Sequence, residues 1–356
     1  MERLPESVLL KIFSYFHISE LVGMSRVNSE WYRLVYDWQL WQDVSLEKHS
    51  KNITDLTLRK LMRNIFSSKL RYLDLTRFNI SSGTLHVLSK HCPQLRTLIL
   101  EYVNFHESYR DFPDIKYFPR NLRKMNIAQS SGPASIYRNI MKCLEKDTLE
   151  NLAVCDPFLQ LFSANKSSFI NFFLRQRLSL KVLKFSFSKE LRDDLLKQIM
   201  FCCRNLNSLC VRRCRNMAGE FLKSFSDICP YLRSLRLNGA LVSNSLLMDI
   251  NWNRCLLVEL DLSWCRYIAE ESLLHTLPAL NRFLQYLHVS CCGYGHALTD
   301  NVLEAMARKS WKFLCILDVS YSYDITNRGL DGLLQKCPNL SKICKNNCPN
   351  LTLASV

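Results

Sequence analysis

Apolar residues recur along most of the chain in a phrase of six residues, leucine-x-x-leucine-x-leucine with substitutions. The phrase starts at residues 70, 95, 122, 149, 180, 206, 232, 257, 284, 314 and 340. Neighbouring starts lie 25 to 31 residues apart. A phrase repeated at this interval predicts stacked units, each containing one short strand and one helix.

The spacing inside one unit supports this division into strand and helix. In LRYLDL, which starts at residue 70, Leu73 and Leu75 are two apart and face the same side of a strand. In the following SSGTLHVLSKHC, Leu85, Leu88 and Cys92 are spaced to share one face of a helix. Strands stacked into a concave parallel sheet, with helices on the convex side, would enclose these leucines. We predict an α/β leucine-rich-repeat solenoid of about eleven repeats over residues 70–356.

The 16 cysteines follow the repeat. The positions that recur just before a strand or shortly after one are Cys92, Cys203, Cys229, Cys255, Cys337, Cys214, Cys265 and Cys292. We expect packed free thiols, because the sequence shows no secretory signal and a reducing compartment, cytoplasmic and/or nuclear, favours them. Neither the group Cys291, Cys292 and His296 nor the pair Cys344 and Cys348 supplies the two ligand pairs typical of structural zinc. No metal or cofactor is predicted.

The first residues have a different pattern. LPESVLLKIFSYF, at residues 4–16, places apolar side chains at helical spacing, and ELVGMSRV and EWYRLVY predict two more short helices, the third capped by Asn28 or Ser29. Three such helices bury too little surface to be stable alone. Their surplus of large apolar groups indicates a protein interface. Residues 47–69 contain no Gly/Ser- or Pro-rich linker and predict a degenerate linking or capping repeat.

This front module resembles an F-box, with boundaries at residues 1–46. The residues that match the F-box pattern are Leu4, Pro5, Ile12, Phe13, Ser14, Tyr15, Leu21, Val27, Trp31, Leu34, Leu40 and Trp41. Asn28 stands where Cys is common, and Phe16 replaces a Leu. An F-box followed by cysteine-containing leucine-rich repeats is similar to the F-box and leucine-rich-repeat proteins, which are substrate receptors of SCF-type ubiquitin ligases.

The resemblance implies a non-catalytic subunit that docks on a SKP-type adaptor and, through it, on cullin and RING subunits. The residues expected to bind the adaptor are Leu4, Pro5, Val8, Ile12, Phe13, Leu21, Val27, Trp31, Leu34 and Trp41. Trp31 and Trp41 are equally compatible with the core of the module. No nucleophile motif, phosphate-binding glycine loop or paired carboxylates stand out along the sequence. We therefore expect recognition of a protein substrate by the repeats, and not catalysis.

The formal charge is +15, and it is uneven. Residues 1–46 contain four Lys/Arg and six Asp/Glu, so the remainder has a net charge of +17. The charged positions beside the strand leucines predict a basic centre of the concave face at Lys124, Lys184, Arg212 and Arg236. Its predicted flanks are acidic, with Asp74 and Glu101 in the early repeats and Glu259, Asp261 and Asp318 in the late ones. Guanidinium groups suit carboxylates and phosphates, so an acidic or phosphorylated substrate segment is one interpretation. A solvated surface without a ligand is the other.

A basic body also fits a different class of function, a repeat scaffold that binds nucleic acid or acidic partners outside a ligase. Aromatic residues interleaved on the strands would favour it, but the predicted strands offer only Tyr72 and Tyr286, so nucleic acid is the weaker hypothesis. No stretch of about 18 apolar residues predicts a membrane span. The Phe-rich segment 155–178 is expected to pack inward over a longer helix, with an exposed partner loop as the alternative.

Overall fold

A computed structural model of the chain describes residues 4–66, 68–107, 118–119, 121–144 and 146–352. The chain divides into two compact units, residues 1–152 and residues 153–356. Strand β7 (Asn151–Val154) falls at the division between them. The two units are described separately below.

Unit 1 contains the front module and the first repeats. Its helices are α1 (Glu6–Phe13), α2 (Ile18–Met24), α3 (Ser29–Val35), α4 (Asp55–Asn64), α5 (Ser82–His91) and α6 (Ala134–Cys143). Its strands are β1 (Asp43–Ser45), β2 (Tyr72–Asp74), β3 (Asn79–Ser81), β4 (Thr97–Ile99), β5 (Asn104–His106) and β6 (Lys124–Asn126). Short 3-10 helices cover Trp38–Trp41 and Glu47–His49.

The sheet of unit 1 is parallel and in register on its apolar residues. Val44 on β1 pairs with Leu73 on β2, Leu73 pairs with Leu98 on β4, and Leu98 pairs with Met125 on β6. All four side chains are buried. Strand β1 is therefore the first strand of the repeat sheet, although it directly follows the front helices. A second pair of parallel strands, β3 and β5, follows the main strands of two repeats.

Unit 2 shows the same alternation of short strands and helices. Its helices are α7 (Asp156–Ala164), α8 (Lys166–Arg175), α9 (Asp193–Cys202), α10 (Phe225–Ile228), α11 (Asn244–Met248), α12 (Glu270–Thr276), α13 (Asp300–Ala307) and α14 (Asn327–Leu334). Its strands are β8 (Val182–Ser186), β9 (Ser208–Arg212), β10 (Ser234–Arg236), β11 (Glu259–Asp261), β12 (Tyr286–His288), β13 (Ile316–Asp318) and β14 (Lys342–Cys344). Short 3-10 helices cover Glu220–Lys223, Trp252–Arg254, Pro278–Leu280 and Cys292–Gly295.

The strands of unit 2 are also parallel and aligned on one leucine per repeat. The aligned residues are Leu183, Leu209, Leu235, Leu260, Leu287, Leu317 and Ile343. All except Ile343 are buried. Because side chains alternate along a strand, the residues on either side of each leucine lie on the opposite face, which we call the open face. The predicted α/β leucine-rich-repeat fold is confirmed.

Aspartates at the start of helices tie one repeat to the next. Asp300, the first residue of α13, accepts hydrogen bonds from the backbone N–H of Thr326 (2.8 Å) and from its Oγ1 (2.6 Å). Asp193, at the start of α9, accepts from the N–H groups of Ala218 (2.9 Å) and Phe221 (3.2 Å). A carboxylate is favoured at a helix N-terminus, so one side chain stabilises its own helix and orients the following turn.

The cysteines predicted to pack inside the repeats are buried. Cys265 Sγ donates to the carbonyl oxygen of Leu237, and Cys292 Sγ to that of Leu262, both at 3.2 Å. Each thiol thus satisfies a carbonyl group of the preceding repeat. Burial raises the pKa of Cys92, Cys214 and Cys265 to about 12, so these sulfurs remain protonated thiols.

The Phe-rich segment forms two helices, where the sequence suggested one longer helix. Asn165 ends α7 and caps α8, accepting a hydrogen bond from the N–H of Ser168 at 2.9 Å. The competition between the Asn side chain and the helical backbone explains the break. The buried phenylalanines are Phe158, Phe169, Phe172 and Phe173. The prediction that this segment packs inward is confirmed, and the exposed-loop alternative is wrong.

Candidate functional site

The front module closes a small core of its own. Phe13 on α1, Leu21 on α2, and Leu34 and Val35 on α3 are each 3% exposed or less and form one cluster. Trp31 packs against Phe13 edge to face, with ring centroids 5.1 Å apart. The cluster holds the three helices together, so the outer faces of the helices have fixed positions.

Four residues predicted to touch an adaptor are buried within the chain. They are Phe13, Leu21, Leu34 and Trp41. The indole Nε1 of Trp41 donates to the carbonyl oxygen of Val35 at 2.8 Å. This bond supplies the acceptor that the N–H of a buried tryptophan needs. Each of the four is enclosed within the chain, so their contact with an adaptor stays a prediction. In the structure they support the surface. Trp31 is half-buried against the same core.

The outer face of α1 remains apolar. Val8 and Ile12 are four residues apart on one side of α1, and Leu4 lies just before the helix; we call these three residues the α1 stripe. The exposed fractions of Leu4, Val8 and Ile12 are 54%, 39% and 38%. Pro5, at the N-cap of α1, is exposed as well, and so is Val27 after α2. These five of the ten predicted residues are available to a partner.

Sequence reasoning missed further exposed apolar side chains in the module. They are Tyr15, Phe16, Val22, Tyr32 and Trp38. The signal was present in the pattern, because the three helices contain more large apolar residues than one small core can enclose. Local contacts hold the module in shape. Asn28 Oδ1 accepts from the N–H of Trp31 at 2.7 Å, and Arg33 on α3 forms two hydrogen bonds to Glu6 on α1.

The basic residues predicted to seat a substrate lie on the open faces of the two units. Lys124 is on β6 of unit 1. Lys184, Arg212 and Arg236 are on the consecutive strands β8, β9 and β10 of unit 2, and all four are exposed. In the register of the sheet, Cys210 pairs with both Lys184 and Arg236. The structure therefore brings three of the four predicted residues onto adjacent strands.

Arg236 is already occupied within the chain. Its Nε lies 2.6 Å from Glu259 Oε1 and its Nη2 lies 3.0 Å from Oε2, a two-pronged pairing with the next strand. Burial opposes ionisation of Glu259, but the hydrogen bonds from Arg236 and from Ser234 lower the pKa of its carboxyl group overall. The guanidinium fork of Arg236, predicted to seat an anionic group, is therefore paired with Glu259 within the chain.

The neighbouring arginines lie over an aromatic ring. The guanidinium carbon atoms of Arg212 and Arg213 are 5.5 Å and 5.7 Å from the centroid of the Phe187 ring. Both distances fit a cation–π contact. Among the described residues, neither arginine forms an ion pair, and the same holds for Lys184. These three residues are the part of the predicted basic centre that can still accept an anionic group.

The late strands of unit 2 present acidic groups. Asp261, His288 and Asp318 occupy equivalent places on β11, β12 and β13 and pair in register. Asp318 Oδ2 lies 3.9 Å from His288 Nδ1. The Asp318 carboxylate raises the pKa of His288, partial burial opposes this, and Asp261 and Glu259 reinforce it.

One residue just beyond each strand has a left-handed backbone. In unit 2 these residues, which we call the rim row, are Phe187, Arg213, Gly239, Trp264, Cys291, Tyr321 and Asn347. In the rim row, the backbone N–H of each residue before Asn347 donates to a carbonyl oxygen of the next repeat, at 2.8 to 3.0 Å. Bulky residues rarely adopt this conformation, which Gly239 adopts without strain. The rings of Trp264 and Tyr321 meet at 5.5 Å, although Cys291 separates them in the row.

The part of the chain that the structure describes contains neither a candidate metal site nor a candidate membrane-spanning helix. No group of three or more His, Cys, Asp or Glu residues there is arranged to hold a metal ion. No helix there has the length and apolar character needed to cross a membrane.

Comparison with known proteins bears on both parts of the molecule. Residues 1–47 match the model of the family described as F-box-like. Human F-box/LRR-repeat protein 12 is 30% identical over 132 residues, which cover 35% of this chain and 38% of the human protein. The bovine protein of the same name is 31% identical over 109 residues, covering 28% of this chain and 33% of that protein. The alignments thus span between a third and two fifths of these relatives.

Solved structures resemble the fold over longer stretches. A chain from the crystal structure of the Rad7 and Elc1 complex of yeast superimposes with a TM-score of 0.64, at 15% identity, over 99% of this chain and 89% of that chain. An internalin from Listeria monocytogenes gives a TM-score of 0.44, at 15% identity, over 95% of this chain and 91% of that one. With an F-box-like match at residues 1–47 and leucine-rich repeats after it, the chain is similar to the F-box and leucine-rich-repeat proteins.

Proposed function

We propose that this protein is the substrate-recognition subunit of an SCF-type ubiquitin ligase. In this role the front module docks on a SKP-type adaptor, which connects it to cullin and RING subunits, and the repeats hold a protein substrate. The subunit itself is non-catalytic. Its contribution to the rate is to keep a substrate lysine close to the ubiquitin-charged enzyme.

The observation that carries the proposal is the α1 stripe. Leu4, Val8 and Ile12 are 38% to 54% exposed, while Phe13 one residue further on is buried in the core of the module. An exposed apolar surface on a folded module marks an interaction site. Fully burying a side chain of this size contributes about 1.5–3 kcal/mol, and the fraction that is still exposed here can be buried against a partner.

The comparisons support the same proposal. The F-box-like match covers the helices that present the stripe. The solved structure with the higher TM-score is a complex of two proteins, Rad7 and Elc1, which is compatible with partner binding in this chain. For the substrate, we propose an acidic or phosphorylated segment on the open face of unit 2 at Lys184 and Arg212. Arg213 replaces Arg236 in this site, because Glu259 holds Arg236.

Co-purification with a SKP-type adaptor tests the docking proposal. The test variant is Val8→Asp/Ile12→Asp, which puts two charges on the exposed stripe and leaves the core residue Phe13 in place. We expect wild-type protein to form a one-to-one complex on size-exclusion chromatography. The variant should bind at least about 100-fold more weakly, because unpaired charges would be buried at the interface.

The control is Leu56→Asp. Leu56 lies on α4, outside the front helices, and is 68% exposed, so the substitution adds one such charge at another exposed apolar position of unit 1. This variant should bind the adaptor like wild type. Well-folded wild-type protein that elutes alone, or a double variant that still binds at full strength, overturns the proposal.

A further inference from the structure

The rim row of unit 2 contains an aromatic pair with no cation over it. In unit 1 the guanidinium of Arg77 lies 6.0 Å from the ring of Tyr102, which has the same place in the next repeat. In unit 2 Arg213 lies over the ring of Phe187 in the same way. The chain thus covers aromatic rings of this kind with its own arginines. Within the described residues, no Lys or Arg lies over the Trp264 or Tyr321 ring.

The strands that lead to this pair are acidic. Asp261 is three residues before Trp264, and Asp318 is three residues before Tyr321, so the two Cα atoms of each pair lie within about 10 Å of one another. On β11, β12 and β13 the open-face residues include three carboxylates and no Lys or Arg. Arg236 neutralises Glu259. Asp261 and Asp318 therefore leave a local charge of about −2 when His288 is neutral, in a chain whose net charge is +15.

The carboxylates and the rings are held in fixed positions. Asp261 Oδ1 accepts from the N–H of Ser263 at 2.9 Å, and Asp318 Oδ1 accepts from the N–H of Ser320 at 3.0 Å. The backbone of Trp264 donates to the next repeat at 2.8 Å, so the strained turn that presents its ring is tied down. The Trp264 side chain is 39% exposed. Strained residues that persist because neighbours hold them are typical of binding sites.

We propose that Trp264, Tyr321, Asp261 and Asp318 form a binding site for arginine side chains of a partner peptide. A guanidinium stacks on an aromatic face and, in the same plane, donates to a carboxylate, which an ammonium group does less well. This inference rests on the proposed function, because the peptide would belong to the substrate. The inference requires a basic segment in the substrate, in addition to the acidic or phosphorylated segment proposed to bind at Lys184 and Arg212.

The spacing of the two carboxylates determines the design of the peptide used as a probe. Asp261 and Asp318 are two strands apart, which is about 9.5 Å. In a polyproline II peptide, which has three residues per turn, side chains three residues apart lie on the same side and are separated by about 9 Å. The probe is the labelled peptide Gly-Ser-Arg-Gly-Ser-Arg-Gly-Ser. Two matched peptides replace both arginines, one with citrulline, which is neutral and of similar shape, and one with glutamate.

The variants are chosen so that the fold survives. Trp264→Gly and Tyr321→Gly place glycine where Gly239 occupies the same conformation in the same row, so they remove a ring and relieve strain. Asp261→Asn and Asp318→Asn keep the acceptor for the following turn. Asn126 in unit 1 shows that Asn makes this bond, since its Oδ1 accepts from the N–H of Ala128 at 2.9 Å.

Fluorescence anisotropy with the full chain measures binding. We expect the arginine peptide to bind about tenfold or more tightly than the citrulline peptide, and the glutamate peptide not to bind at this site. Each of the four variants should weaken binding of the arginine peptide about tenfold, with unchanged thermal stability or a gain for the glycine variants. Equal binding of arginine and citrulline peptides, no binding at about 1 mM, or no effect of the variants overturns the inference.

Adaptor co-purification separates this inference from the proposed function. All four variants should bind the SKP-type adaptor like wild type, because the front helices are untouched. If the adaptor complex forms but the arginine peptide does not bind, only the proposal of an arginine-binding site is contradicted. A chain that binds the arginine peptide but no adaptor contradicts the receptor role instead.

Discussion

Arg236 and Glu259 form a two-pronged ion pair between adjacent strands of unit 2, with contacts of 2.6 Å and 3.0 Å. The Glu259 side chain is 15% exposed and the Arg236 side chain 45%. A carboxylate this far from water needs its partner, whereas the more exposed guanidinium can be solvated. The pair marks the boundary between the basic early strands and the acidic late strands of the unit.

Removing Arg236 should therefore cost more than removing Glu259. We expect Arg236→Ala to lower the free energy of unfolding by about 1–3 kcal/mol, because Glu259 keeps only its bond from Ser234. Glu259→Ala should cost less. Urea unfolding of the two single variants and the double variant gives the coupling energy, expected at about 1 kcal/mol. Purely additive effects would mean that the pair is not formed in solution.

Asp300 should contribute to stability far more than an aspartate on the helix surface. It joins the start of α13 to the backbone and hydroxyl group of Thr326. Asp300→Ala is expected to lower the free energy of unfolding by about 1–3 kcal/mol, since it leaves these donors without their acceptor. The matched control is Asp331→Ala, at an exposed position on α14. It should change the stability by less than about 0.5 kcal/mol. Equal effects in urea unfolding would contradict the inter-repeat role.

Thiol labelling should divide the cysteines into two classes. Ten of the 16 are buried and six are partly exposed. Since the thiolate is the reactive form, burial that raises the pKa of Cys265 to about 12 makes it inert at neutral pH. We expect a thiol reagent to modify at most six groups in the native protein and all 16 in denaturant. Fewer than 16 in denaturant would indicate disulfides, and more than six in the native protein would contradict the packing.

The sequence predicted the repeat well because one physical requirement recurs in it. Each strand must bury a leucine against its helix, so Leu73, Leu209 and Leu287 fall at the same place in the phrase and in the register of the sheet. The inward cysteines and the Phe-rich segment follow from the same periodicity. Local patterns are sufficient wherever the stabilising contact lies within one repeat or between neighbours.

The functional surfaces depend on contacts that local patterns do not contain. The F-box pattern names Ile12 and Phe13 alike, although one is 38% exposed and the other 1%. Only the packing of three helices separates them. The Arg236–Glu259 pair needs two repeats to be aligned before it is visible. The rim row was not predicted because only Gly239 and Asn347 are residues typical of a left-handed turn, whereas Trp264 and Tyr321 are not.

His288 should make stability and arginine-peptide binding depend on pH in opposite directions. Its neighbours are Asp261 and Glu259 on β11, Asp318 on β13 and Tyr286 on its own strand. The pKa of His288 is raised above its usual 6.5. The charged imidazole therefore contributes stability that is fully present below about pH 6.5 and is lost as the pH rises through the higher pKa of the folded state. The same charge neutralises the carboxylates that would bind arginine.

Two measurements check this expectation. His288→Gln should lower the free energy of unfolding at pH 5.5, by less than about 1 kcal/mol because the pair is partly solvated, and change it little at pH 9. Binding of the arginine peptide to wild type should weaken from pH 8 to pH 5.5, and this dependence should be smaller in His288→Gln. Asp318→Asn is the control, because losing the first cause of the shift should lower the pKa of His288 seen by NMR titration. A pKa of His288 at or below 6.5 in wild type would contradict both expectations.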